Sequence, residues 1–259
     1  MRVATIRRPK WSALLVTCAA VCSSTIVRAD DSAARDLVQR TLEALPQVSF
    51  TARIKLTGDA RSDRELMVKH KIVDGARNTY LEAVAPDYVV GVRFLLKERV
   101  GEPPVQYMRY IATHVPVLIG NKMRAERFLG SNFYLADVVQ PDLNAFTYAF
   151  VGDEKIDGRA CKLVESVPKD PTNEVYGKVI HAVDPKDLIV VRRRFFDKQG
   201  QAIKEWTADK VEKISGYWTV RDQRMKDLTG TLESHIQITE INYGAEIPDS
   251  DFTKEYLGR

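Results

Sequence analysis

His70, His114, His181 and His235, with Cys161, are the side chains best suited by type to acid–base, nucleophilic or metal chemistry. Their spacing argues against each use. There is no H-x-H, H-E-x-x-H or paired Cys/His pattern, so no zinc-type ligand set forms along the chain. Cys161 and Leu163 alternate in a strand-like stretch, where a lone cysteine serves as a small buried hydrophobe and not as an exposed thiolate. His70 falls on the apolar face of another such stretch and reads as a hydrogen-bonded core histidine. No G-x-S-x-G elbow occurs, and Ser131 in Gly130-Ser131-Asn132 lacks the surrounding pattern of a nucleophile. The glycines of Gly152 to Gly158 bound a charged hairpin turn and do not form a phosphate loop. No catalytic, metal or cofactor constellation emerges, which points to binding and not to conversion of a substrate.

Two patterns do suggest binding chemistry. Arg192-Arg193-Arg194-Phe195-Phe196 mixes cations with aromatics, yet successive strand side chains alternate between faces. The three arginines therefore do not form one nucleic-acid cluster. One of them turned into an apolar concavity would suit a carboxylate or phosphate head group. Arg109, on the face of Tyr107 and Ile111, is the other candidate, and a surface salt bridge competes for both. The second pattern is FLGSNFYLADV, Phe128 to Val138. Phe128, Phe133, Tyr134 and Leu135 crowd a Gly-Ser-Asn turn, although connecting segments are normally polar and exposed.

Charge depends on where the mature chain starts. Met1 to Lys10 is basic, Trp11 to Val27 is mostly apolar, and Val27-Arg28-Ala29 has small residues at the positions a signal peptidase reads. Residues 1–29 are therefore expected to be a Sec-type signal peptide, with one domain over 30–259. Cys18 and Cys22 follow Thr17 and Val21, where a lipidation site wants a smaller residue. The whole chain has 39 basic and 35 acidic residues. Removing Arg2, Arg7, Arg8, Lys10 and Arg28 leaves 34 against 35. The basicity belongs to the signal, so no nucleic-acid partner is expected. Cys161 alone remains and no internal disulfide can staple the fold. No later stretch approaches the roughly 20 apolar residues of a membrane helix.

The elements that must position any site are mostly strands. Ala34, Leu37, Val38, Leu42 and Leu45 recur at helical spacing over Asp30 to Leu45, with Asp31 or Ser32 as cap and Pro46 as stop. Period-2 patterning follows. Phe50, Ala52, Ile54 and Leu56 alternate with Thr51, Arg53, Lys55 and Thr57, and Leu66, Val68, His70 and Ile72 repeat the pattern. Further segments lie around residues 92–96, 105–111, 146–150, 161–163, 175–183, 188–196, 203–211, 217–228 and 232–243, joined by Gly, Asp or Pro turns. The fold expected is mainly β (α+β): an incomplete antiparallel barrel of about 10–11 strands. The N-terminal helix and a short helical lid within residues 113–145 would cover an apolar cavity, because so large a sheet must curl.

The stretch QYMRYIATHVPVLIGNKMRAERFLGSNFYLADV resembles the LolA-like family of outer-membrane lipoprotein-sorting proteins. The matching positions are Tyr110-Ile111, Arg124, Arg127, Phe128, Gly130, Ser131, Phe133 and Asp137. The ending, from Ile247-Pro248 through Asp251-Phe252-Thr253 to Leu257, is similar too. Asn132 stands where that family usually has Asp, Ala136 replaces an acidic residue, and Ala112 replaces a common Pro. The resemblance implies a half-barrel whose cavity holds acyl chains in transit through the periplasm, often beside RND or MMPL-type exporters.

Together these features predict a non-enzymatic periplasmic carrier of a lipid or acylated protein, acting as a monomer with transient membrane contact and no cofactor. Phe50, Ile54, Leu66, Val68, Phe94 and Tyr107 are the expected cavity wall, with Arg109 beside them. Phe128, Phe133, Tyr134 and Leu135 form the expected lid or rim. Simple filling of a closed core by the same side chains competes with this. A second function class is a binding module that senses lipid or envelope stress and signals to a membrane partner, as RseB-like proteins do. A third, a hydrolase or isomerase acting in the cavity, finds no motif.

Overall fold

The computed structural model describes residues 31–58, 63–112 and 114–259. The expected signal peptide, including Cys18 and Cys22, lies outside the described residues. Helix α1 (Ser32–Glu43) is capped by Asp31, whose carboxylate accepts from the amides of Ala33 and Ala34. Its buried stripe is Ala34, Leu37, Val38, Thr41 and Leu42.

The strands are β1 (Phe50–Thr57), β2 (Arg64–Val73), β3 (Ala76–Ala85), β4 (Arg93–Glu98), β5 (Val105–Arg109), β6 (Pro116–Leu118) and β7 (Phe146–Ile156). They continue with β8 (Arg159–Pro168), β9 (Lys178–Asp184), β10 (Ile189–Phe196), β11 (Ala202–Ile214), β12 (Tyr217–Asp227) and β13 (Glu233–Tyr243). A short helix, α2 (Lys254–Gly258), ends the chain. All thirteen strands form one antiparallel sheet in the order β6-β5-β4-β3-β2-β1-β13-β12-β11-β10-β9-β8-β7. Phe50 pairs with His70 on one side and Tyr243 on the other, which joins the two halves of the sheet through β1.

The sheet is open, with β6 and β7 as its edges. The chain runs directly from one edge to the other through residues 119–145. That connection therefore crosses the concave face, whose apolar side chains need a cover. Core residues of both halves, such as Leu66, Phe94, Phe195 and Trp206, pack around its Phe128, Phe133, Leu135 and Val139.

Two strands exceed the sequence expectation, β3 and β6. On β3, Leu81 and Ala83 join the concave side while Tyr80 packs outward on Phe252 and Leu257 near the C-terminus. Covered on both faces, β3 carries no clean alternation. Strand β6 is only three residues long, below what a periodic pattern can mark. The segment expected to be a short helical lid has only brief helical pieces. Residues 119–145 contain single 3₁₀ turns at Asn121–Met123, Phe128–Gly130 and Leu143–Ala145, joined by irregular backbone. Leu129 (φ 49°) and Gly130 (φ 76°) both sit in the left-handed region, which ends helical propagation there.

Candidate functional site

The crossing segment is pinned to both halves of the sheet. On one side, Gln106 of β5 donates to the Leu135 carbonyl at 2.8 Å, and Glu98 of β4 accepts from the Gln140 amide. On the other, the Asn132 amide donates to Ser234 Oγ of β13 at 2.9 Å. Asn132 Nδ2 reaches the carbonyls of Met225 and Leu232 at 3.4 Å, so an amide does here what a carboxylate could not, since it donates. Phe128 and Phe133 are 1% and 2% exposed, and the Phe128 ring meets Phe94 at 4.9 Å. These aromatics fill the space between the halves.

Asp137 is the centre of the strongest tether. Its Oδ2 accepts from Lys204 Nζ of β11 and from the Tyr134 amide, both at 2.7 Å, and its Oδ1 accepts from Tyr176 Oη at 2.7 Å. Both charged side chains are at most 3% exposed. The Lys204 ammonium lies 3.4 Å from the Tyr134 ring centroid, so the aromatic face supplements the carboxylate. Burial pulls the Lys204 pKa down, with Asp137 opposing it. Burial also pushes the Tyr176 phenol well above its usual value, the Asp137 charge adding to this.

Beyond Asp137 a cavity opens, with about 800 Å³ of empty space, part of it continuous with solvent. Val38 of α1, Val139 and Pro141 of the crossing segment, and Phe146 and Tyr148 of β7 cover it. Val179, Phe195, Trp206 and Met225 form the floor. Arg124 and Glu174, paired at 3.1 Å, stand among its polar lining.

Besides Lys178, which pairs with Glu165, three polar groups on the sheet face this space: Ser166, His181 and Arg193. Ser166 Oγ and His181 Nε2 are 2.8 Å apart. Burial, with the nearby Arg193 charge, lowers the His181 pKa to about 3, so the imidazole is neutral near pH 7. Arg193 lies over the Trp206 ring, 5.0 Å from its centroid. Its neighbours take the outer face: Arg192 pairs with Glu154, and Arg194 with Glu205 at 2.7 Å. The RRR run is thus split as strand alternation requires.

The sequence-predicted wall residues lie elsewhere. Ile54, Leu66, Val68 and Phe94 belong to the core on β1, β2 and β4, in contact with the plug of Phe128, Phe133 and Leu135. Phe50 stacks on His70 at 4.7 Å at one end of that cluster. Tyr134 is partly buried and stacks parallel to Tyr176 at 6.2 Å. Tyr107 and Arg109 point to the opposite face of β5. Tyr107 carries Lys254 above its ring, and Arg109 donates to the Gly91 carbonyl and contacts His114. None of these eleven borders the cavity. Of the expected head-group arginines, Arg193 does.

The cavity liners of β9 to β11 do alternate in sequence, as in Val179-x-His181 and Arg193-x-Phe195, so a period-2 reading marks their face. It does not mark which half of the sheet stays unfilled. Cys161 is buried on the other face, where burial raises its thiol pKa. His70 is 1% exposed and bonds Thr79 Oγ1 at 2.8 Å.

An open antiparallel sheet wrapped on a crossing segment, with a helix beside an apolar pocket, defines a LolA-like fold. Solved structures place it there. A putative outer-membrane lipoprotein-sorting protein domain from Vibrio parahaemolyticus is similar at 19% identity and TM-score 0.80, over 88% of this chain and 99% of that one. A DUF1329-family protein from Desulfovibrio piger gives 20% identity and 0.79 over 89% and 100%. A LolA-superfamily protein from Nitrosomonas europaea gives 19% and 0.65 over 86% and 98%. At these identities the likeness is one of fold. No curated protein matches the sequence. A family model described only as "Uncharacterized protein" matches residues 75–259, and the chain belongs to that family.

Proposed function

We propose that the protein is a non-enzymatic periplasmic carrier that holds the acyl chains of a lipid or lipidated protein in this cavity and moves them toward the outer membrane. One observation carries the reading: a concave, mostly apolar space between α1, the crossing segment and β7 to β12, with a few polar groups converging on it, the setting in which natural small-molecule sites occur. Each CH₂ buried there would contribute about 0.8 kcal/mol to loading. Release needs an opening. Helix α1 rests on the sheet mainly through Ala34, Leu37, Val38 and Leu42, held at its start by the Asp31 amide donating to the Tyr148 carbonyl, and is the element whose movement would unroof the space. The plugged half around Phe128 and Phe133 would stay closed as it does.

Export through residues 1–29 rests on the basic, apolar and small-residue pattern of that segment, and an inner-membrane RND or MMPL-type exporter as cargo donor rests on the sequence resemblance. The test is mass spectrometry of organic extracts from mature protein purified from its own cells. An acyl lipid in near-stoichiometric amount is expected, with much less from a folded Val139→Trp variant whose indole fills the cavity. A wild-type protein that yields none, and takes up none from added lipid, would remove the carrier reading.

A further inference from the structure

Arg193 is placed as no other cation of the described residues is. It makes no hydrogen bond or ion pair there, and its Nε is shut off from solvent without a partner. Its guanidinium lies over the Trp206 face at 5.0 Å, and the Asp137 charge opposes the cost of its burial without outweighing it. The carboxylates around the cavity are already used. Asp137 is saturated by Lys204, Tyr176 and the Tyr134 amide, and Glu174 is paired with Arg124. Lys178, also on the lining, is paired with Glu165 at 2.8 Å. A guanidinium held without a directly paired counter-ion is costly, because removing a charge from water is offset only by close partners. Next to it, His181 is neutral and occupied with Ser166, so it supplies no negative charge.

We infer that the cavity selects amphiphiles with an anionic head, a carboxylate or phosphate on an acyl chain, and that Arg193 is the counter-ion that receives the head. This rests on the carrier reading and narrows it to one class of cargo. Guanidinium geometry suits both heads, since its parallel N–H groups match two oxygens of either. Stacking on Trp206 fixes the guanidinium plane, so little further ordering is needed when the head arrives. The apolar floor of Val179, Phe195 and Met225 is left for the chain.

The experiment compares binding of palmitate, hexadecyl phosphate, methyl palmitate and inorganic phosphate to delipidated mature protein, using wild type, Arg193→Gln and Arg193→Lys, with unfolding midpoints as a folding control. Wild type is expected to bind one or both charged amphiphiles at least tenfold more tightly than the neutral ester; which one separates a fatty-acid head from a phosphate head. Arg193→Gln should lose that preference while still binding the ester, and Arg193→Lys should keep part of it. Equal wild-type affinity for acid and ester would overturn the inference and leave the carrier reading standing. Displacement of palmitate by millimolar inorganic phosphate would overturn it too, by assigning the site to a free anion. Failure of every acyl ligand to bind would overturn both readings. The wild-type comparison decides even if neither variant folds.

Discussion

Asp137 on the crossing segment and Lys204 on β11 form a 2.7 Å ion pair in which neither side chain is more than 3% exposed. The pair fastens the segment that spans the sheet to the half that keeps the cavity. Removing one partner strands the other charge, so Asp137→Ala and Lys204→Met should each lower stability by about 3–5 kcal/mol in urea unfolding. The double variant should cost at least about 1 kcal/mol less than the sum. Strict additivity would mean that the two charges act independently.

Acid should destabilise the fold through His70. Burial, helped by the charge of Arg77, lowers its pKa to about 3, against an ordinary value of 6.5. Between those values the unfolded chain binds a proton that the native state refuses. Its contribution is therefore complete above pH 6.5 and is lost as pH falls toward 3, at about 1.4 kcal/mol per pH unit. His181 adds a smaller share in the same direction, because it faces a cavity that solvent can enter. The stability lost between pH 7 and pH 4.5 should be roughly 2.5 kcal/mol smaller in His70→Gln. An unchanged acid limb would dissociate His70 from it.

Phe128 and Phe133 should behave as core residues in unfolding experiments. Phe128→Ala should cost about 3–5 kcal/mol by leaving a void against Phe94. Phe133→Asp, placing a carboxylate where the ring is 2% exposed, should prevent stable folding. A well-folded Phe133→Asp protein would mean that this region opens readily. Tyr107→Ala, on the far face of β5, should leave acyl-ligand affinity unchanged within about twofold, which titration of wild type and variant would check.

Gly177 follows Tyr176 and allows β9 to pass close to the turn after β10. A Cβ there would lie 2.3 Å from the Asp197 carbonyl oxygen and 2.9 Å from the Lys198 Cα, both backbone atoms. Gly177→Ala should therefore shift Tyr176 and lower stability by about 1–3 kcal/mol. An alanine variant as stable as wild type in thermal unfolding would show that the loop yields easily.

Much of the architecture is legible in the sequence because one face of most strands is buried and one is not. Phe50 to Thr57 alternates, and so do Arg192 to Phe196, which is why the outward turn of Arg192 and Arg194 follows from chain order alone. The helix over α1, its Asp31 cap and the short turns are local, set within a few residues of chain. Strand β3 escapes because the C-terminal segment packs on its outer face through Tyr80 and Phe252. That contact joins residues far apart in sequence, and no pattern within β3 records it.

The cavity belongs to the same non-local class. The sequence by itself determined that aromatic side chains at Phe128, Phe133 and Tyr134 must be buried against something. It also determined that one arginine of the run 192–194 would face opposite to the other two. Only the tertiary structure decided that Phe128 and Phe133 fill the space between the two halves, that Tyr134 turns toward Tyr176 and Lys204, and that space is left under α1 beside β7 to β12. That outcome depends on the path of residues 119–145 between the two sheet edges. Its tethers at Gln106, Ser234 and Lys204 lie on strands brought together only when the sheet curls. Side-chain volume and periodicity are properties of the chain, whereas an unfilled volume is a property of how its surfaces meet.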